Sequence, residues 1–261
     1  VYLIKLATLN TTRLIKEHHM PYQQELAAHS IASNRYNLYT NIHKGLRAFM
    51  ADTLVTVGQT DGHDALQVET ASAAVRSLLV LCRAHLNHED HFIHPVLETC
   101  APHSSASCAE DHYEHLREFN QLELHLEHAL LLASVGAVDA PQVWLSLYLH
   151  LNQFVADNYL HMQKEEQENM AVLWRHFSDE ELMALSKQLV ASITPEEMAL
   201  SMRWMLPNLN HHERLAMLSG LKAQAPAFVF AERMSAVKTL LNQRDWDKLV
   251  TGLSLNEREA A

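Results

Sequence analysis

Two glutamates of this chain each follow a histidine by four residues, on faces that are otherwise apolar, and any fold it adopts must give them partners. Glu89 follows His85 in the run HLNHEDHFIHPVLE, and Glu165 follows His161 in HMQKEEQENM. Residues four apart on an α-helix stack one turn above each other, roughly 5–6 Å between Cβ atoms. The first pair sits on a stripe reading Val75, Leu78, Leu79, Cys82, His85, Leu86, Glu89, Phe92, Ile93. The second sits on or near Leu147, Leu151, Phe154, Asn158, His161, Glu165, Val172. Both stripes have the i, i+3, i+4 spacing of a buried helical face. A carboxylate buried without a partner costs several kcal/mol or shifts its pKa until it is neutral. Two such glutamates require a shared explanation.

Each pair is preceded by one more histidine, His43 in NIHKGLRAF and His112 in AEDHYEHL. The order histidine, then histidine plus glutamate, therefore repeats over four successive helical segments. A single histidine on an apolar face is ordinarily a hydrogen-bonded core residue, and with 19 histidines some H-x-x-x-E pairs arise by chance. Two pairs in phase with apolar stripes, with one histidine on each remaining helix, point instead to a dinuclear metal site. Its candidate ligands are His43, His85, Glu89, His112, His161 and Glu165. Imidazole with carboxylate suits iron, manganese or zinc, and no thiolate pair competes. Two bridging carboxylates among four helices favour a di-iron or di-manganese centre. The ferritin-like pattern is E-x-x-H with further glutamates; the reversed, wider and histidine-rich pattern here is a different one.

The runs NIHKGLR, HLNHEDHFIHPVLE, EDHYEHL and YLHMQKEEQENM resemble the hemerythrin-like (HHE cation-binding) family over about residues 35–175. The resemblance implies an up-down-up-down four-helix bundle holding two non-haem iron ions that bind O2 or NO. It makes His43, His85, His112 and His161 terminal ligands and Glu89 and Glu165 bridging carboxylates. Oxygen-carrying members have two histidines four apart on the third helix, whereas His112 is followed four later by Leu116, with His115 one position short. The duplicated arrangement is more similar to bacterial di-iron proteins associated with nitrosative stress and repair of iron centres. That similarity implies sensing, scavenging or stress protection, with di-iron oxidase, peroxidase or iron-centre repair activity as the alternative. A scaffold merely stabilised by metal is a third reading. Whether His115 also ligates is open.

Six glycines and seven prolines in 261 residues, 48% of them hydrophobic, call for long helices, few turns and an all-α fold. A net charge of −11 leaves no basic footprint for nucleic acid. Cys82, Cys100 and Cys108 form no C-x-x-C and are odd in number, which reads as reduced thiols in a cytoplasmic protein. No apolar run of membrane-spanning length and no signal peptide is expected.

The organisation expected is an N-terminal extension (1–33), a metal-binding bundle (34–177) and a C-terminal helical region (178–261) without chemistry, which packs on the bundle, caps it or mediates a homodimer. The bundle helices are expected at 34–59, at 64–98 with a kink from Pro95, from a Ser107–Glu110 capping box onward, and from Asp139–Pro141 to about 176. Ser178–Glu181 and Thr194–Glu197 are further capping boxes. Tyr39, one turn before His43, is read as core with a possible reach to the metals. Glu98, Glu166 and Arg47 are read as lying on the surface or behind the ligands, and Glu166 as dispensable for metal retention. His88, His91 and His94 are read as solvent-facing, and His211 and His212 as a solvated helix start.

Overall fold

The computed structural model describes residues 35–255 and among them contains helices and no strand. The expected extension at 1–33 lies outside the described residues. The first helix among the described residues, α1, spans Thr40–Gln59. It is followed by a long stretch in three parts: α2 (Ala65–His88), a π-helical turn (Glu89–Ile93) and α3 (His94–Cys100). After α4 (Ala106–Ser134) the three-part form recurs as α5 (Ala140–Lys164), a second π turn (Glu165–Asn169) and α6 (Met170–His176).

Helix α1 packs on α2 and α5, and α4 packs on the same two helices. Their shared core includes Leu46, Met50, Leu78, Leu79, Phe119, Leu122, Leu147, Leu151 and Phe154. Each such side chain fully withdrawn from water contributes about 1.5–3 kcal/mol, so these contacts hold the helices at fixed separation. His43 lies in the first turn of α1 and His112 early in α4, whereas His85 and His161 lie in the last turns of α2 and α5. All four therefore meet at one level.

Local chemistry sets most helix ends. Asp64 caps α2 by accepting from the N–H groups of Leu66 and Gln67. The start of α4 differs from expectation: no Ser107–Glu110 box forms, and Ser107 Oγ instead accepts from Lys164 Nζ. Glu98 supplies the cap, accepting from the His103 N–H, the Ser105 N–H and the Ser105 hydroxyl. These bonds hold its carboxyl down at about 2. A carboxylate at a helix N-terminus satisfies orphan donors and meets the positive end of the dipole. Just before Pro95 the helix makes a π turn, with the His94 N–H bonding the Glu89 carbonyl. The second π turn has no proline, so proline is not what calls for them. Each begins on one of the two buried glutamates.

The helical stretch Ala65–Cys100 is long and apolar enough to span a membrane by length and composition, at a mean hydropathy of 1.3, contrary to the expectation of no such run. Its apolar residues form the face that packs on α1 and α4, and it also carries His85, Glu89 and Asp90. A core helix passes the same test, and nothing here indicates a membrane protein.

After His176 come α7 (Asp179–Ser192), α8 (Pro195–Asn208), α9 (His211–Gln224), α10 (Ala227–Leu240) and α11 (Gln243–Leu253). They start at 179, 195, 211, 227 and 243, a constant interval of sixteen residues. Ser178, Thr194, Asn210 and Asn242 precede four of them, each side chain accepting from the N–H three residues on, and Pro226 takes that place in the other. Three of the caps are full boxes, closed by Glu181, Glu197 and Glu213. The region is thus a tandem helical repeat with its own core around Leu206, Leu218, Phe230, Met234, Trp246 and Leu249. It packs on α1 and α2 through α8: Trp204 stacks on Phe49 at 4.1 Å, and the Met205 backbone lies 3.0 Å from where a Cβ on Gly45 would stand.

Candidate metal centre

The six expected side chains come together in two overlapping groups. His43, His85, Glu89 and Glu165 offer ligand atoms within 4.8 Å of one another, and so do Glu89, His112, His161 and Glu165. The glutamates belong to both because each divides its oxygens. Glu89 Oε1 lies 3.2 Å from His85 Nε2 and 3.8 Å from His43 Nε2, while its Oε2 lies 3.5 Å from His112 Nε2. Glu165 Oε2 lies 3.4 Å from His43 Nε2, and its Oε1 lies 3.3 and 3.7 Å from His161 Nε2 and His112 Nε2. The halves are related by an approximate exchange of α1 and α2 with α4 and α5.

The separations test whether a metal fits. His43 and His85 face each other through Nε2 at 3.1 Å, and His112 and His161 at 3.0 Å. Two nitrogens bound about 2.1 Å from one ion at right angles would stand about 3 Å apart. All four carboxylate oxygens of Glu89 and Glu165 are buried without a hydrogen-bond partner, though imidazole nitrogens surround them. Buried carboxylate oxygens are rarely left so. Unpartnered carboxylate oxygens set among facing imidazole nitrogens are what a cation site requires, and these clusters could hold metal ions.

The outward nitrogens are also arranged for this. His43 Nδ1 donates to Glu166 Oε1 at 3.0 Å, His112 Nδ1 to Asp90 Oδ1 at 2.7 Å, and His161 Nδ1 to Asp111 Oδ2 at 3.1 Å. With the proton on Nδ1, each ring turns the Nε2 lone pair inward. Glu166 and Asp90 immediately follow Glu165 and Glu89, so each buried glutamate is succeeded by the acid that aims a histidine on another helix. Glu166 is anchored in turn by Arg47 Nη1 and Nη2 at 2.7 and 3.1 Å. Glu166 and Arg47 therefore lie behind the ligands, as one of the expected readings had it, but Glu166 is not indifferent to the site. The Glu166→Ala variant is expected to weaken the His43 half-site about 10–100-fold, the usual cost of losing such a support. Metal titration monitored half-site by half-site checks this; unchanged affinity of both halves would show that the His43 tautomer needs no carboxylate.

Protonation in the absence of metal reflects the same crowding. Burial alone would lower His43, but its hydrogen bond to Glu166 and the nearby charges of Glu89 and Glu165 raise it to about 9. His112, against the same burial, is raised to about 10 by Glu165, Glu89 and Asp90. His85 lacks such an anchor, and burial pulls it down to about 4. Burial works to raise Glu89 and Glu165, yet the imidazoles hold both below the usual carboxylate range. Burial pushes against Glu166 too, and His43 and Arg47 bring it to about 2.

Several neighbours differ from expectation. His94 is buried, not solvent-facing: its ring stacks on His112 at 4.8 Å, and its Nδ1 lies 3.0 Å from Asp90 Oδ1, the oxygen that also meets His112. Asp90, His94 and His112 form a third group of closely placed ligand atoms. The π turn is what swings His94 inward, which periodicity at 3.6 residues could not foresee. His91 is exposed as expected. Tyr39 is fully buried with its ring 5.3 Å from His43, and its hydroxyl accepts from Asn169 Nδ2 at 3.2 Å. Burial, then Glu165 and Glu89, push its phenol well above its ordinary pKa. Asn169 also meets the buried Cys108, whose thiol burial pushes up to about 12. The sequence marks Cys108 only as a reduced thiol and gives no sign that it and Asn169 stand beside the site. His115 is buried but joins neither converging group; burial, then His161 and His112, lower it to about 4. His211 and His212 join no ligand group among the described residues.

A cavity of about 10 Å³, room for one water-sized occupant, adjoins both halves of the site. Comparison with models of known families, with curated proteins and with solved structures finds no match to this chain.

Proposed function

We propose that this chain is a hemerythrin-like protein: an up-down-up-down four-helix bundle whose six converging side chains hold two non-haem iron ions, for binding O2 or NO in sensing, scavenging or stress protection. The observation that carries the reading is the shared pair of carboxylates, each reaching two histidine pairs. The alternation of the ligands between helix starts and helix ends supports the up-down topology. Bound there, iron would supply a redox-active centre with positions open to a small ligand.

The chain's own groups then have distinct tasks. Glu89 and Glu165 supply the negative charge that offsets two cations in a buried place. His43, His112 and His161 are held in the ligating tautomer by Glu166, Asp90 and Asp111. The small cavity keeps bulk water and larger molecules from the ligand side. Three free thiols, Cys82, Cys100 and Cys108, suit a reducing, cytoplasmic setting. The alternative of a di-iron oxidase or peroxidase draws on Tyr39, a buried phenol beside His43 and placed to give up an electron.

The test is metal analysis together with optical spectra of the aerobic protein, then spectra after azide and after NO on the reduced form. About two irons per chain and ligand-dependent spectra are expected. One metal, zinc in place of iron, or spectra indifferent to every ligand would defeat the reading. Sustained consumption of O2 or H2O2 would favour the enzyme.

A further inference from the structure

We propose that His115 is the specificity-determining residue of a ligand pocket, donating a hydrogen bond to a small anion held at the metal centre without itself ligating metal. The inference rests on the metal-centre reading above.

The cavity beside the site is bounded on one side by His85, Glu89, His112 and His161, members of both ligand groups. His115 and Asn158 also line it, among apolar side chains such as Met50 and Phe119. His115 is 6% exposed and has no hydrogen-bond partner among the described residues. Edge contacts fix its ring, to His161 at 4.9 Å and to Phe154 at 6.5 Å between centroids. Its position is therefore set by packing, and its ring N–H is left uncommitted. Buried polar side chains are ordinarily bonded, and an imidazole with neither ring nitrogen bonded, set against a cavity, suits a group that bonds to what enters it.

The other polar groups on that wall are less suited. Asn158 ties its Nδ2 to the Phe154 carbonyl at 2.9 Å. Cys82 offers a thiol, a weak donor. His115 is also placed wrongly for a ligand, since its nitrogens lie outside both groups that converge on the glutamates. In a cavity with room for about one water, the occupant must be a diatomic or the metal-bound end of a slim linear ion. A donor there favours ligands that carry negative charge, because hydrogen bonds to ionised acceptors are roughly twice as strong as neutral ones and are least screened away from water. The pocket should therefore discriminate by charge at nearly equal size.

The experiment compares wild type, His115→Leu and His115→Gln for iron content, azide affinity of the oxidised protein and NO affinity of the reduced protein. Iron content should be unchanged in all three. Azide should bind about 10–100-fold more weakly to His115→Leu, the range for loss of one charge-assisted hydrogen bond, while NO changes less than about threefold. His115→Gln, which keeps an N–H donor, should recover most of the azide affinity. The stretching band of bound azide should shift in D2O for wild type but not for His115→Leu. Loss of iron from either variant would make His115 a ligand and overturn the proposal. Equal weakening of azide and NO would make its role one of shape, and no weakening would remove its role. If wild type takes up neither azide nor NO, the metal-centre reading fails and takes this inference with it; uptake by wild type matched in His115→Leu defeats this inference alone.

Discussion

Glu165→Ala is expected to strip metal from both halves of the centre, whereas His85→Ala is expected to strip it from one. The difference follows from how the oxygens are divided. Glu165 reaches His43 with Oε2 and His112 and His161 with Oε1, so its removal takes a donor from each group. His85 contacts Glu89 and His43 in one group only. Supports behind a ligand already cost about 10–100-fold in affinity when lost, and a negatively charged donor common to both ions should exceed that at each. The alanine variant also leaves Glu89 facing four imidazoles with half the negative charge. Metal counted by elemental analysis after gel filtration should fall from about two per chain to well under one for Glu165→Ala, and to about one for His85→Ala. Tight retention of one ion by Glu165→Ala would show that the carboxylate does not serve both halves. Glu89→Ala is expected to behave like Glu165→Ala, since Glu89 divides its oxygens in the same manner.

The sequence carried the convergence of these six residues because helical periodicity is enough to show it. A histidine and glutamate four apart lie on one face whatever else the chain does, and the aliphatic residues around them say that the face is inward. Three features needed more than a 3.6-residue period. The π turns at Glu89 and Glu165 shift the register after each glutamate, which is why His94 is buried although spacing from His85 placed it outside. The pairings of Asp90 with His112 and Glu166 with His43 join different helices, and only packing creates them. A signal for them was nonetheless present: both pairs read H-x-x-x-E followed at once by an acid. The sixteen-residue repeat of the C-terminal region was also legible, in Ser178, Thr194, Asn210 and Asn242 at regular offsets. Its first two caps alone stand out, because the remaining units close with Asn in place of Ser or Thr, and one begins at Pro226. The Glu98 cap on α4 was hidden for another reason. It depends on a connecting loop folding back, with His103 at a φ of 69°, so that two N–H groups point at one carboxylate.

Removing the metal is expected to lower the melting temperature by roughly 10–30 °C while leaving the chain largely helical. A metal that binds the folded chain and not the unfolded one stabilises it by about 4 kcal/mol at a thousand times its Kd. In a domain of this size 1 kcal/mol is worth about 2–4 °C, and two sites bring the sum into that range even if the second is weaker. The apo protein keeps the aliphatic core between α1, α2, α4 and α5, which has no part in ligation, so the secondary structure should persist. What it loses is concentrated at one level of the fold. Glu89 and Glu165 are left with protons on His43, His112 and His161 as their positive partners, and their oxygens remain without hydrogen bonds. The π turns should loosen first, because they start on those two residues and π geometry is less stable than the α-helix on either side. Circular dichroism melts before and after dialysis against a strong chelator measure the shift, and amide exchange locates it. Restoring iron should restore the melting temperature. A shift under about 3 °C, or protection lost evenly along α1 and α4 with the π turns no more affected than the rest, would mean that the six side chains are held together by packing alone.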